Sequence, residues 1–206
     1  MKKKKNLGIW VVFAAVVILL LSWNRIFPSK QDAIVTNPTD LPGIQTGLAP
    51  WDANLPTMLS RLKAIGLTPL PMEGNVMHIH QHLDMNINGE VVTLPAGIGI
   101  SEFPLLYSPL HVHDTTGIIH VESNVVRTFT LGQVFDVWGV LLTNDCIGGY
   151  CADATHSLKV YSNGTLYTGN PNDLVLTQHQ EIMIVYGDTA STTPPIISSY
   201  EFPAGY

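Results

Sequence analysis

Leu110-His111-Val112-His113-Asp114-Thr115-Thr116-Gly117-Ile118-Ile119-His120-Val121-Glu122 is the stretch that decides the fold. Apolar and polar residues alternate on both sides of a short polar turn, the pattern of a β-hairpin. With Thr115-Thr116 as a two-residue loop, Asp114 pairs with Gly117, His113 with Ile118, Val112 with Ile119 and His111 with His120. Successive side chains of a strand point to opposite faces. His111, His113, His120 and Glu122 therefore share one face, and Val112, Ile119 and Val121 share the other.

The same alternation runs from Val76 to Ile100. Ile79, Leu83, Met85 and Ile87 fall on one face, and His78, His80, His82, Asp84 and Asn86 on the other, before Asn88-Gly89 turns the chain into Val91, Val92 and Leu94. A third hairpin is expected from Leu158 to Tyr167 around Asn163-Gly164, followed by a buried strand over Glu181 to Tyr186. Two helical segments complete the pattern. Leu55, Met58, Leu59, Leu62 and Ile65 recur at helical spacing, with Asn54 placed to cap and Gly66 to stop. Thr130 is placed to cap a helix whose Leu131, Val134, Phe135 and Trp138 share a face before Gly139.

Imidazoles hold a transition metal only where several converge, and His-x-His on a strand brings two to one face. His111, His113 and His120 form a three-imidazole set on two adjacent strands, to which the first hairpin adds His80 and His82. These five are the expected metal ligands. Glu122, Asp114 and Asp84 are the expected outer acceptors for imidazole N–H groups, Asp114 having an equal claim as a turn residue. His78 shares the face but is read as lying past its rim, and His156 and His179 read as solvated or hydrogen-bonded residues. Nitrogen donors suit Cu(II) or Zn(II), and the affinity order favours copper.

Compartment and partners follow from composition. Five bases and no acid occupy the first 25 residues, whereas the rest of the chain sets five bases against 16 acids. That acidic remainder lacks the basic stripe that phosphate neutralisation requires, which excludes nucleic acid as a partner. Leu7 to Trp23 is 17 residues without a charge, about 25 Å as a helix. Its bulky exit, Leu21-Ser22-Trp23-Asn24-Arg25, suits a retained anchor better than a cleaved signal. The expectation is a single-pass cell-membrane protein with its C-terminal domain outside the cytoplasm. In that oxidising space Cys146 and Cys151 read as one local disulfide, a soft-metal thiolate pair being the alternative.

The motifs resemble those of an uncharacterised family of bacterial secreted or membrane-anchored domains. Its elements are His-x-His-x-His-Leu, matched from His78 to Leu83, and Pro-Ala-Gly-Ile-Gly-Ile, from Pro95 to Ile100. Next come Leu-His-x-His-Asp-x-Thr-Gly-x-Ile-His-x-Glu, from Leu110 to Glu122, and Phe-Thr-Leu-Gly-Gln-x-Phe-x-x-Trp-Gly, from Phe129 to Gly139. The resemblance implies membership and carries no activity. As a site alone, His111-Val112-His113 with a third imidazole on the next strand is similar to the zinc site of alpha-type carbonic anhydrases. His-Val-His-Asp-x-x-Gly also resembles the copper strand of copper-zinc superoxide dismutases, without that family's later zinc-loop histidines.

These readings lead to an α+β fold of mostly antiparallel hairpins with two short helices, tethered by an N-terminal transmembrane helix. The expected divisions are a basic stub and anchor over 1–25, a linker over 26–50, a histidine-rich domain over 51–188 and a flexible tail over 189–206. The expected function is binding, buffering or delivery of copper or zinc. Two alternatives stay open: a three-histidine metalloenzyme with a metal-bound hydroxide or a copper redox centre, and a cell-surface interaction module without metal.

Overall fold

Strand β1, Met77–Ile87, is the axis of the fold. In the computed structural model, which describes residues 34–190 and 194–206, it lies between β6, Ile118–Ser123, and β11, Gln180–Asp188. Beyond β6 comes β5, Leu110–His111. Beyond β11 come β9, His156–Ser162, and β10, Thr165–Tyr167, giving the order β10-β9-β11-β1-β6-β5. The two-residue β2, Glu90–Val91, also pairs with β1 through the Asn88-Gly89 turn. Two small ribbons lie apart: β3, Ile100–Glu102, with β4, Leu105–Tyr107, and β7, Cys146–Ile147, with β8, Tyr150–Cys151.

One face of the sheet is apolar. Leu83, Met85 and Ile87 of β1, Ile119 and Val121 of β6, and Ile182 and Ile184 of β11 are buried there. They join one core with Met58 and Leu62 of helix α1, Met58–Ala64, and with Leu131, Phe135 and Trp138 of helix α2, Leu131–Trp138. Helix α2 starts at a capping box, in which the Thr130 hydroxyl accepts from the Gln133 N–H and the Gln133 side chain accepts from the Thr130 N–H. It stops at Gly139 in the left-handed region. Arg61 of α1, fully buried, donates to the Val137 and Trp138 carbonyls at the end of α2 and to Asn54 O. A cation on carbonyls that the helix cannot satisfy itself ties the two helices together.

The fold expected from the sequence is corrected here. Among the described residues strand outweighs helix, 33% to 14%, and the two helices are short. The other pairings of the main sheet are antiparallel and the content is consistent with α+β, but at its centre β1 and β11 run parallel, from Gln81 opposite Gln180 to Ile87 opposite Tyr186, a pairing that hairpins alone do not make. No helix among the described residues is long and apolar enough to cross a membrane, and the expected anchor falls on residues outside those described. Alternation reveals a strand and a tight turn reveals its neighbour, but neither encodes a pairing across a hundred residues of chain.

Two further segments differ from their expected character. In the stretch assigned to a linker, Leu41 enters the core and Gln45 pairs with Val140. Residues 194–206, assigned to a flexible tail, lie against the polar face of the sheet: Ile197 N–H approaches the Met183 sulfur and Tyr200 reaches His82. Cys146 and Cys151 are joined by a disulfide, so the thiolate alternative has no free sulfur.

Candidate metal centre

The polar face of β1, β6 and β5 carries the histidines. Across β5 and β6, His111 pairs with His120. Across β6 and β1, His120 pairs with His80. His120 therefore stands in the middle, its ring centroid 4.7 Å from that of His80 and 5.2 Å from that of His111. All three are buried among side chains, at 3%, 1% and 6% exposure for His80, His111 and His120.

His111 is oriented from behind. Its Nδ1–H donates to the Ser108 carbonyl at 3.0 Å, which fixes the tautomer and leaves the Nε2 lone pair facing His113 Nε2 at 3.2 Å. Glu122, two residues beyond His120 and so on the same face, brings Oε1 within 3.1 Å of His120 Nδ1. Ligating atoms of His111, His113, His120 and Glu122 all lie within 4.8 Å of one another. Burial pushes the Glu122 pKa up, but the His120 hydrogen bond and the neighbouring imidazoles outweigh it and hold the carboxyl below its usual range.

Burial also drives the His80 and His111 pKa values down to about 4; around His80 the neighbouring His120 and His78 act in the same direction. Both rings are neutral at pH 7, the state in which imidazole ligates a metal.

His82, expected as a ligand, is placed otherwise. Its Nε2–H donates to the Thr116 carbonyl at 2.9 Å, and Nδ1 meets Glu181 Oε2 at 2.8 Å with Asp84 Oδ2 at 3.6 Å. Although His82, Asp84 and Glu181 are close enough to surround an ion, both imidazole nitrogens are already engaged and no lone pair remains. Burial opposes charge on His82, yet the Glu181 hydrogen bond and charge, then Asp84 and Thr116, raise its pKa. Burial raises Glu181 as well, so a proton is held between Nδ1 and Oε2. Gly117, at φ +88, keeps this arrangement tight: a Cβ there would stand 2.8 Å from His82 Nε2.

Of the expected outer acceptors, Glu122 lies within the ligand set and Asp84 beside His82. Asp114 instead accepts from Thr116 N–H at 2.8 Å and from its hydroxyl, closing the turn. His156 pairs with Asp153 and stacks on Tyr186, away from the cluster. His179 Nε2–H donates to the Tyr206 carbonyl.

Sequence reasoning missed several groups. His78 Nε2 lies 3.0 Å from His80 Nε2 and 3.1 Å from Glu122 Oε1, inside the cluster and not past its rim. Glu73 reaches His113 at 3.3 Å. Segment 194–206 covers the face: Tyr200 stacks on His82, Phe202 on His179, and Tyr206 sits 4.7 Å from the His80 ring and 5.5 Å from that of His120. The available signal was three aromatic residues within seven positions of an otherwise Pro- and Ser-rich stretch. Searches against family models, curated proteins and solved structures find no match to this chain, which leaves the geometry of the histidine face as the guide to its function.

Proposed function

We propose that this chain binds a transition-metal ion, Cu(II) by preference and Zn(II) next, through His111, His113, His120 and Glu122, for storage, buffering or delivery. The observation that carries the reading is the His111 ring, held by the Ser108 carbonyl so that its Nε2 points at the other donors and stands 3.2 Å from His113 Nε2. His82 differs, because its two nitrogens are held by a carboxylate and a backbone carbonyl, whereas the partner of His111 Nε2 is another imidazole nitrogen able to turn to the same ion. Three nitrogens and one carboxylate oxygen satisfy the usual four-coordinate demand of zinc and the nitrogen preference of Cu(II). The aromatic cover from Tyr206 favours holding an ion over turning over a substrate beside it. The disulfide fits an oxidising compartment, where copper is Cu(II).

The test is elemental analysis and metal titration of the full chain purified without a histidine tag. Binding is expected for wild type and its loss for the H111Q/H113Q/H120Q variant. Failure of wild type to bind either copper or zinc overturns the reading in favour of a hydrogen-bonded polar face.

A further inference from the structure

His120 has a pair of imidazoles on each side. On the β5 side, His111 and His113 present Nε2 atoms 3.2 Å apart. On the β1 side, His78 and His80 present Nε2 atoms 3.0 Å apart. The second pair forms its own set: ligating atoms of His78, His80, His120 and Glu122 all lie within 4.8 Å of one another. The two sets have His120 and Glu122 in common.

One ion cannot use both pairs. The two pairs fall in separate sets that share His120 and Glu122 alone, in keeping with their origin on β1 and β5, whose backbones lie about 10 Å apart on either side of β6. Donors on a single ion at bonds of about 2.0–2.1 Å lie no more than about 4 Å from each other. At such bond lengths the two nitrogen pairs subtend about 95° and about 105°, between square and tetrahedral angles, which Cu(II) and Zn(II) accept.

Two more observations distinguish the β1 pair from ordinary hydrogen-bonded histidines. His80 is 3% exposed, its Nε2 meets only the His78 Nε2 and its Nδ1 has no hydrogen-bond partner, so no group outside the imidazole cluster holds the head of this buried ring. Glu122, itself 3% exposed, has Oε1 within 3.1 Å of both His78 Nε2 and His120 Nδ1, at the junction of the two sets. A carboxylate with two oxygens is the group suited to lie between two cations, since it binds each and offsets their repulsion.

We propose that the cluster is a two-ion centre: a second transition-metal ion, Cu(II) or Zn(II), sits on His78 and His80, and Glu122 bridges it to the ion on His111 and His113. This extends the reading given above and rests on it. His78 is the outermost of the donors, its side chain 51% exposed, and marks the side from which the second ion enters.

The experiment is Cu(II) titration of the untagged full chain, with copper counted per chain after gel filtration and examined by electron paramagnetic resonance. Two coppers per chain are expected, with most of the signal lost through coupling of the neighbouring ions. H78Q/H80Q is expected to hold one copper with a full-intensity isolated signal. One copper per wild-type chain overturns the two-ion centre and leaves the His111 site standing. Two coppers with an undiminished signal overturn the Glu122 bridge, and no copper together with no zinc in a parallel titration overturns both readings. The wild-type count decides the matter even if the double variant fails to fold.

Discussion

Tyr200 lies flat on His82, ring centroids 3.7 Å apart and planes inclined by 6°. The ring beneath it shares a proton with Glu181, so an aromatic face covers a group of cationic character. Such contacts contribute about 1–2 kcal/mol when desolvated. Tyr200→Ala is expected to lower the urea midpoint by an amount corresponding to about 1–2 kcal/mol, and Tyr200→Phe to leave it nearly unchanged. Equal losses in the two variants would assign the effect to the hydroxyl and not to the stack.

Removal of the acid beneath that stack has a larger effect. Glu181→Gln leaves His82 buried without its counter-charge, and breaking a buried pair typically costs about 3–5 kcal/mol. The His82 pKa is expected to fall relative to wild type in an NMR titration of the imidazole protons. Because the folded value is raised in wild type, the stability that His82 supplies is fully present below about pH 6.5 and is lost as pH rises through the folded value. In the variant that decline should disappear.

Asp136 titrates in the opposite sense. Burial of this α2 carboxyl, only partly offset by the Arg61 charge, pushes its pKa up to about 7. Above its ordinary value the unfolded chain loses the proton first, so stability falls as pH rises from about 4 to about 7. Asp136→Asn is expected to raise stability at pH 8 by about 1–2 kcal/mol, after allowance for residual solvent, and to change little at pH 4. Melting temperatures across that range check it; a destabilised variant at pH 8 would reveal a missing partner for the carboxylate.

Arg61 provides a test of the helix pair. Its guanidinium reaches Val137 O through Nε at 3.2 Å and Nη2 at 2.9 Å, and Asn54 O at 2.8 Å. A lysine supplies charge but not the planar fork. Arg61→Lys is expected to cost about 2 kcal/mol and Arg61→Ala at least about 3 kcal/mol by chemical denaturation, since the variants leave buried carbonyls unpaired. A neutral Arg61→Lys would mean that charge alone caps α2.

Residues that meet through a tight turn were legible in the sequence. Asp114 to Gly117 reverses the chain within a few residues, so the placement of His111 opposite His120 follows from counting, and His80 follows from alternation. The role of His82 was not, because its partner Glu181 arrives from 99 positions away and a histidine's identity says nothing of which nitrogens are free. The parallel centre of the sheet was hidden for the same reason. His78 was underestimated because exposure at a strand end reads as a rim, although alternation had already placed it beside His80. Segment 194–206 reads as unstructured by composition, yet Tyr200, Phe202 and Tyr206 are large enough to find the imidazole rings.

The long return from β1 to β11 also orders events in time. Joining Gln81 to Gln180 requires closing a loop of nearly a hundred residues, a slow step with a substantial entropy cost. Every donor of the histidine cluster lies between His78 and Glu122, within one contiguous stretch. An ion captured there would act as a folding nucleus: it would pin β1, β5 and β6 into register while β11 is still searching, and favour the parallel docking that follows.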